Sequence, residues 1–274
     1  MYYSIVIPCY NAEQHLMETL NVISDFFKHS NKSAEYLLVD DGSRDNTWLV
    51  IKEIVTLYPD TIGIKLKKNH GQTVATNVGI YYSAGERIIT MDDDLKYNLD
   101  VIVEMERAAE HENLIYAFIP QKNIMHLMRI FFDFLGGKKL ATSFRYMKRE
   151  LIPKEYLIRE QLEIYFQKIE YIKINTTIIP TKQYKDIPSR TNIFSRLKFI
   201  LFLMPNFPNN KLIYVCILFL TISIISFCLN LRIWNLVSFT LFILGVLWLM
   251  FKYRFNYFYN IDNPSDIIED LLKR

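Results

Sequence analysis

Hydrophobic and polar positions alternate in blocks over the first hundred residues. Four short apolar runs, each followed by a polar cluster, span residues 4–8, 35–39, 62–66 and 87–91. Runs of this length that are rich in β-branched residues are typical of buried strands. Between the runs, apolar side chains recur at helical spacing. They are Leu16, Leu20, Ile23 and Phe27 in the first interval and Trp48, Ile51, Ile54 and Val55 in the second.

Strands that alternate with helices predict a doubly wound, mostly parallel α/β sheet. The third helix is predicted over residues 72–84, with Gly85 as its C-terminal stop. Weaker patterns predict further strands over residues 114–119 and 170–179 and a helix over residues 125–135.

An aspartate triplet, Asp92-Asp93-Asp94, follows the fourth apolar run. Open α/β sheets bind ligands at the carboxyl ends of their strands. Asp92 and Asp94 stand two residues apart, so their carboxylates can converge on one hard cation, which usually holds phosphate oxygens as well. The alternative for an isolated triplet is a solvated acidic turn.

Three more polar clusters fall at the same predicted edge of the sheet. They are Cys9-Tyr10-Asn11, Asp40-Asp41-Gly42-Ser43 and Asn69-His70-Gly71-Gln72. Asp and Asn side chains there can accept hydrogen bonds from a base or a ribose, and the Tyr10 ring offers a face for stacking.

These segments, taken in order, resemble glycosyltransferase family 2. The matching stretches are residues 4–11 (SIVIPCYN), 39–47 (VDDGSRDNT), 69–72 (NHGQ) and 91–95 (MDDDL). The resemblance is specific over residues 1–105 and looser over 106–205. The branch it favours acts on polyprenyl phosphates and includes dolichyl-phosphate mannose synthase and bacterial undecaprenyl-phosphate glucosyltransferases.

The resemblance implies a GT-A-like fold, with a nucleotide-sugar half in residues 1–105 and an acceptor half in residues 106–189. It implies that Asp92 and Asp94 bind a divalent cation, Mg²⁺ or Mn²⁺, on the donor diphosphate, and that Asp94 and Arg145 are catalytic. The residues expected to bind the nucleotide sugar are Pro8, Tyr10, Asn11, Asp40, Asp41, Asn69, Gln72, Asp92 and Asp93.

Three positions depart from the family pattern. Ala12 stands where many relatives carry Glu, so one nucleotide contact is missing or is supplied by Glu13. Lys96 stands where Gln is common, and Ser143 replaces the acid of a Gly-Asp-Phe-Arg segment that keeps Arg145. A hydroxyl acceptor needs deprotonation, whereas a lipid phosphate is already anionic at neutral pH and needs little help from a base.

Two uncharged apolar runs, residues 212–229 and 233–251, lie near the end of the chain. Each suits a membrane span of about 20 residues, and the short link between them predicts a helical hairpin. The cations that flank the hairpin are Lys198, Lys211, Lys252 and Arg254. This bias predicts an integral membrane protein, in a bacterial inner or plasma membrane, with its catalytic domain and both termini cytoplasmic and residues 252–274 as a cytosolic tail. The alternative is a buried helix pair of a soluble protein.

Residues 190–205 are short, apolar and basic, which predicts an amphipathic helix in the headgroup layer. Arg190, Arg196 and Lys198 would then face the lipid membrane. The alternative is a core helix of the soluble domain.

Composition narrows the classes of function. The 274 residues are 51% hydrophobic and 15% aromatic, which is ample for a full core. A net charge of +3 is too small to indicate nucleic-acid binding. The three cysteines form no C-x-x-C pair, so neither a zinc site nor a disulfide framework is predicted, and a reducing cytosol fits. The N-terminus lacks the basic region of a signal peptide.

The function expected from these features is inverting, metal-dependent transfer of a sugar from a nucleotide-sugar donor to a polyprenyl phosphate at the cytoplasmic membrane face. Homo-oligomerisation is left open. One alternative is a family 2 transferase that acts on a hydroxyl of a surface polysaccharide or glycolipid. The other is a catalytically silent membrane scaffold of the same fold.

Overall fold

The computed structural model describes residues 2–118, 143–152, 176–182, 184 and 264–273. All of them belong to one compact unit, formed by Met1–Lys122, Ala141–Ser189 and Ile261–Arg274. The predicted helix over 125–135, the interfacial segment 190–205 and the spans 212–229 and 233–251 lie outside the described residues. Within the described part of the chain, no helix has the length and apolar character needed to cross a membrane.

The secondary structure alternates as the sequence predicts, and its bounds are as follows. The strands are β1 Tyr2–Cys9, β2 Ser33–Asp40, β3 Thr61–Leu66, β4 Arg87–Thr90, β5 Leu114–Phe118, β6 Arg145–Lys148, β7 Thr176–Pro180 and β8 Ile268–Leu272. The α-helices are α1 Leu16–His29, α2 Thr47–Leu57, α3 Gln72–Tyr82 and α4 Val101–Ala108.

The strands form one eight-stranded sheet in the order β7-β5-β6-β4-β1-β2-β3-β8. Strands β3, β2, β1 and β4 run parallel, as do β5 and β7. Strands β6 and β8 pair antiparallel with their neighbours. The predicted parallel α/β arrangement is therefore confirmed for the first four strands, whereas the whole sheet is mixed.

Helices cover both faces of the central strands, which explains why β1 and β2 are almost continuously apolar. On one face, Ile5 and Leu38 pack in a core with Leu20 and Ile51 of α1 and α2. On the other face α3 lies so close to β1 that a side chain at Gly79 would collide with Val6. Close packing of α3 sets the position of its first turn at the carboxyl edge of the sheet.

Gly85 does not end α3 as the sequence predicted. The helix stops at Tyr82, and its C-cap Ser83 has an extended backbone. Gly85 instead lies against β1, where a Cβ atom would come within 2.7 Å of the backbone nitrogen of Ser4. Close approach of β1, rather than helix capping, requires glycine at this position.

Candidate active site

The polar loops that follow β1, β2, β3 and β4 meet at one edge of the sheet. Parallel pairing aligns the strand ends, since Cys9 lies opposite Asp40 and Asp40 opposite Lys65. On the other side of β1, Val6 lies opposite Thr90, which ends β4 just before the aspartate triplet. The candidate site is therefore assembled from four loops, as the sequence predicts.

Asn11 joins the first two loops. Its backbone amide donates to the Ser43 hydroxyl at 3.0 Å, and its side-chain oxygen accepts from the Arg44 amide at 2.9 Å. Asn11 adopts the left-handed backbone conformation (φ 51°), which asparagine tolerates better than most residues. Asn11 was predicted to bind the nucleotide sugar, and in this structure it fixes the two loops that border the site.

Asp40 and Asp41 have different surroundings. Asp40 is completely buried, and its carboxylate accepts from the Ser43 amide at 2.9 Å within its own turn. Asp41 accepts from the backbone amides of His70 and Gly71 at 2.7 and 2.8 Å. Burial raises the pKa of Asp41 to about 6, although both amides favour its charged form. Asp41 therefore holds the β3–α3 loop in place, while Asp40 lies behind the surface of the site.

The β3–α3 loop also rests directly on Gly42. A Cβ atom at Gly42 would lie 2.5 Å from the carbonyl carbon of Lys68, and the glycine has a φ of +65°. Both features favour glycine alone. This contact keeps the exposed Asn69 beside the β2–α2 loop.

Of the residues predicted at the end of β1, Pro8 is buried and Tyr10 is exposed. The Tyr10 residue is 38% exposed, so its ring is available for stacking at the carboxyl edge of the sheet. Pro8 lies opposite Val39 within the sheet, and its contribution is to shape the strand end.

Asp92 is held between two donors from distant parts of the chain. Its Oδ1 accepts from the side-chain amide of Gln72 at 2.6 Å, and its Oδ2 accepts from the Ser143 hydroxyl at 2.7 Å. Gln72 was predicted to bind the donor, and the structure brings it to Asp92. Ser143 was not among the predicted site residues.

Asp93 faces helix α1. Its Oδ1 lies 3.5 Å from His15 Nε2, and its backbone carbonyl accepts from the Thr19 hydroxyl at 2.9 Å. Asp93 is nearly buried, at 8% exposure. Asp93 therefore connects the triplet to α1, whereas Asp92 accepts hydrogen bonds from Gln72 at the start of α3 and from Ser143 just before β6.

The surroundings of Asp92 form one electrostatic cluster. Burial raises the pKa of Asp92, the Ser143 hydrogen bond lowers it, and the charge of Asp94 raises it. Burial also raises the pKa of Tyr97, and the carboxylates of Asp92 and Asp94 raise it further, whereas Ser143 and Arg145 lower it. Tyr97 was not predicted from the sequence, and it stays a neutral phenol beside the carboxylates.

Arg145 is the cation that β6 brings to this edge. It is 4% exposed and lies opposite Thr90 on β4. Because β6 runs antiparallel to β4, Lys148 lies opposite Arg87 at the far edge of the sheet. Arg149 donates there to the carbonyl of Gly85 at 3.0 Å, so neither Lys148 nor Arg149 is near the triplet.

The structure shows the surroundings of two departures, Ala12 and Lys96, and of Glu13, the neighbour of Ala12. Ala12 is completely buried, and its amide donates to the Thr47 hydroxyl at 2.7 Å. Glu13 accepts from the Asn46 amide at 2.8 Å and so interacts with the start of α2. Lys96 uses its backbone carbonyl to accept from the Tyr184 amide at 2.8 Å.

Asp92 and Asp94 suit a hard divalent cation. No group of three or more His, Cys, Asp or Glu side chains that could hold a metal occurs among the described residues. Magnesium is commonly bound by one or two carboxylates, with water and substrate phosphates as its other ligands. The two carboxylates therefore fit a cation whose coordination is completed by a diphosphate.

Two relatives are similar to part of the chain. The chain is 32% identical over 116 residues to the uncharacterized glycosyltransferase YkcC of Bacillus subtilis, covering 42% of this chain and 36% of that protein. It is 39% identical over 109 residues to an undecaprenyl-phosphate 4-deoxy-4-formamido-L-arabinose transferase of Shewanella sediminis, covering 39% of this chain and 33% of that protein. These matches span about a third of the length of either relative.

Solved structures share the fold. A mannosyltransferase of Pyrobaculum calidifontis in complex with GDP-Man and Mn²⁺ aligns with a TM-score of 0.54 at 17% identity, covering 73% of this chain and 61% of that one. Glucosyl-3-phosphoglycerate synthase of Mycobacterium tuberculosis with Mn²⁺ and UDP-glucose aligns with a TM-score of 0.52 at 18% identity, covering 75% and 79%. The GT-A-like fold is thereby confirmed. The model of glycosyl transferase family 2 matches residues 4–149, more than half of the 274 residues, and the chain belongs to this family.

Proposed function

We propose that this protein transfers a sugar from a nucleotide-sugar donor to a polyprenyl phosphate at the cytoplasmic face of a membrane, with inversion and with a divalent cation. The observation that carries the proposal is that Asp92, Asp94 and Arg145 lie at the loop edge of a family 2 domain, the same edge at which Tyr10 and Asp41 follow β1 and β2. Carboxylates and a cation at this edge are the groups that a nucleoside diphosphate requires.

On the donor side, Tyr10 offers a stacking face and Asp92 and Asp94 supply the oxygen ligands of the cation. The cation, when bound, offsets the charge that develops on the leaving diphosphate. Arg145 adds a positive charge beside the carboxylates. The named ligands of the solved neighbours, GDP-Man or UDP-glucose with Mn²⁺, support a donor of this kind.

On the acceptor side, Ser143 occupies the position where a carboxylate was expected. Its hydroxyl donates to Asp92 and so does not take up a proton from an acceptor. A phosphate monoester is largely ionised at neutral pH and can attack without a base. The absence of a carboxylate at position 143 therefore favours a lipid phosphate over a sugar hydroxyl, and the name of the Shewanella relative supports the same acceptor class.

The position of β8 supports a membrane hairpin. Residues 268–272 pair with β3 in the same sheet that carries the candidate site. The described residues before 184 and after 264 therefore belong to the same domain. If residues 212–229 and 233–251 both cross a membrane, both ends of the hairpin lie on one side, which is the cytoplasmic side according to the flanking cations.

Membranes that contain the full chain test this function directly. They would be incubated with undecaprenyl phosphate, Mn²⁺ and a panel of radiolabelled UDP- and GDP-sugars, and the lipid extract would be analysed. We expect one donor to give a labelled glycolipid, and the Asp94→Asn protein to give none. Label recovered only in polysaccharide would favour a hydroxyl acceptor. Absence of both transfer and Mn²⁺-dependent nucleotide binding would favour the silent scaffold.

A further inference from the structure

Ser143 makes two contacts with the end of β4. Its backbone carbonyl accepts a hydrogen bond from the Thr90 hydroxyl at 2.7 Å, and its own hydroxyl donates to Asp92 Oδ2 at 2.7 Å. The first contact fixes the main chain of Ser143, so the second has a defined direction. The side chain is therefore aimed at Asp92 by the structure around it.

Gln72 acts on Asp92 from the opposite side. It is the first residue of α3, and its side-chain amide donates to Asp92 Oδ1 at 2.6 Å. The close packing of α3 on β1 through Gly79 fixes where this first turn lies. Donors from α3 and from the start of β6 thus hold both oxygens of one carboxylate.

A carboxylate held by two donors keeps capacity for further ligands. Each of its oxygens has two lone pairs, and the two hydrogen bonds use one on each. Such donors restrict rotation of the side chain, so the remaining lone pairs point in a fixed direction. Groups of this kind around metal ligands typically contribute about 10- to 100-fold in metal affinity or activity.

The chemistry at position 143 requires a donor. A hydroxyl can donate to Asp92, whereas an ionised carboxylate accepts only and would add negative charge beside Asp92 and Asp94. The Ser143 hydroxyl reaches Asp92 Oδ2 at 2.7 Å, as a donor at this position must.

We propose that Ser143, together with Gln72, is a positioning residue that fixes the Asp92 carboxylate in the orientation in which it binds the cation of the donor complex. This proposal rests on the proposed function, because it assumes a cation at Asp92. It gives the serine, which stands in place of the expected acid, a role in donor binding that is independent of the acceptor.

Metal and nucleotide affinity, measured separately, test the proposal. Mn²⁺ binding to the purified full-length protein would be followed by electron paramagnetic resonance with UDP or GDP present. Nucleotide affinity without metal would be followed by calorimetry. The variants are Ser143→Ala, Gln72→Ala, Ser143→Thr and Asp92→Asn. Ser30→Ala is the matched control, because Ser30 also donates through its hydroxyl, to the Phe26 carbonyl at 2.8 Å, but it lies at the end of α1 just before the start of β2, whereas the site lies at the end of β2.

We expect Ser143→Ala and Gln72→Ala each to weaken Mn²⁺ binding about 10-fold or more. For Ser143→Ala, metal-free nucleotide affinity and melting temperature should stay at the values of the natural protein. Ser143→Thr, which keeps the hydroxyl, should restore Mn²⁺ affinity to within about 3-fold, and Ser30→Ala should bind as the natural protein does. Loss of metal-free nucleotide affinity in step with Mn²⁺ affinity would assign Ser143 a general structural role and overturn the proposal.

Two further outcomes separate this proposal from the proposed function. If Asp92→Asn weakens Mn²⁺ binding and Ser143→Ala does not, the positioning role is wrong and the function stands. If Asp92→Asn also leaves Mn²⁺ binding unchanged, the metal-dependent function itself is wrong, and the positioning role falls with it. A threonine variant that folds normally but binds as weakly as the alanine variant would also contradict a role for the hydroxyl.

Discussion

The backbone amide of Lys67 donates a hydrogen bond of 2.9 Å to the carbonyl of Ile267, close to the other end of the chain. Lys67 directly follows β3 and begins the loop whose amides at His70 and Gly71 hold Asp41. The segment that leads into β8 therefore supports the base of a loop in the candidate donor site. Ile267 also packs against a core cluster that contains Leu66 and residues of α3.

Deletion of residues 264–274 should therefore destabilise the domain and loosen the donor site. The deletion removes β8, leaves β3 as an open edge and exposes partly buried apolar side chains, at a cost on the order of 3 kcal/mol. Thermal unfolding and nucleotide calorimetry would measure both effects. Glu269→Gln is the matched control, because it removes only the 3.0 Å pair with Lys65 at the protein surface, where such pairs contribute about 1 kcal/mol or less. A truncated protein with the melting temperature and nucleotide affinity of the natural protein would show that the segment leading into β8 does not support the donor-site loop.

The sequence predicts the elements whose patterns are local. Residues 4–8 and 35–39 are apolar because helices cover both faces of the central strands, and they lie within β1 and β2. Strand β8 gives no such signal, since its five residues include Glu269 and Asp270 and its pairing depends on an edge far away in sequence. Strand β6 is equally hard to predict, because its four residues RYMK carry two charges.

In the candidate site, too, the sequence predicts what depends on local patterns and not what depends on tertiary packing. Motif spacing brings Asp41 and Asp92 to one edge of the sheet, because parallel strands align their carboxyl ends, whereas Arg145 reaches that edge as the first residue of the antiparallel strand β6. It does not reveal that Asp40 is fully buried or that Ser143 donates to Asp92, because both depend on tertiary packing. The only signal for Ser143 was its departure from the expected acid, which indicates a changed role without specifying it.

Asp41 should make the stability of the domain depend on pH. Its folded-state pKa of about 6 lies above the ordinary aspartate value of 3.8, so the ionised form is disfavoured by folding. Stability from this group is present at low pH and is lost as the pH rises through about 6. Between about pH 5 and 7.5 the loss is on the order of 1 kcal/mol. Urea unfolding in EDTA at both pH values would measure it.

Asp41→Asn is the variant that isolates this effect. It removes the titrating group and keeps a side chain of nearly the same size, so the difference in stability between the two pH values should shrink. The absolute stability is expected to fall at both pH values, because one of the two amides of His70 and Gly71 loses a good acceptor. An unchanged pH difference would show that other groups govern this range.

The aspartate triplet should be sensitive to neutralisation. Asp92→Asn and Asp94→Asn should each lower sugar transfer by more than about 100-fold, because an amide is a poorer ligand for a hard cation. Removal of the cation with EDTA should have the same effect, and addition of Mn²⁺ or Mg²⁺ should restore transfer. Circular dichroism would check that the fold is retained. Full transfer in EDTA would refute the metal-dependent mechanism.

The hairpin proposal predicts which sites face the outside of the cell. A cysteine at Asn230, in the link between the two apolar runs, should react with an impermeant maleimide on intact cells. A cysteine at Ser265, an exposed residue just before β8, should react only after the cells are opened. The reverse pattern would place β8 and the nucleotide site outside, where cytosolic nucleotide sugars cannot reach them.

The segment over residues 190–205 should contribute to acceptor use rather than to donor binding. A lipid phosphate lies at the level of the headgroups, and each cation near an anionic surface contributes about 1 kcal/mol to membrane binding. Replacing Arg190, Arg196 and Lys198 together by Glu should therefore weaken transfer to undecaprenyl phosphate in bilayers. The donor site at Tyr10, Asp41 and Asp92 is built from other segments. Nucleotide affinity measured by calorimetry should therefore stay within about 2-fold of the value of the natural protein. That change is well under the roughly 10-fold that a difference of 1.4 kcal/mol represents. Equal loss of both would indicate that the segment belongs to the core of the protein. If neither transfer nor nucleotide affinity is lost, the membrane hairpin places the site at the membrane without help from this segment.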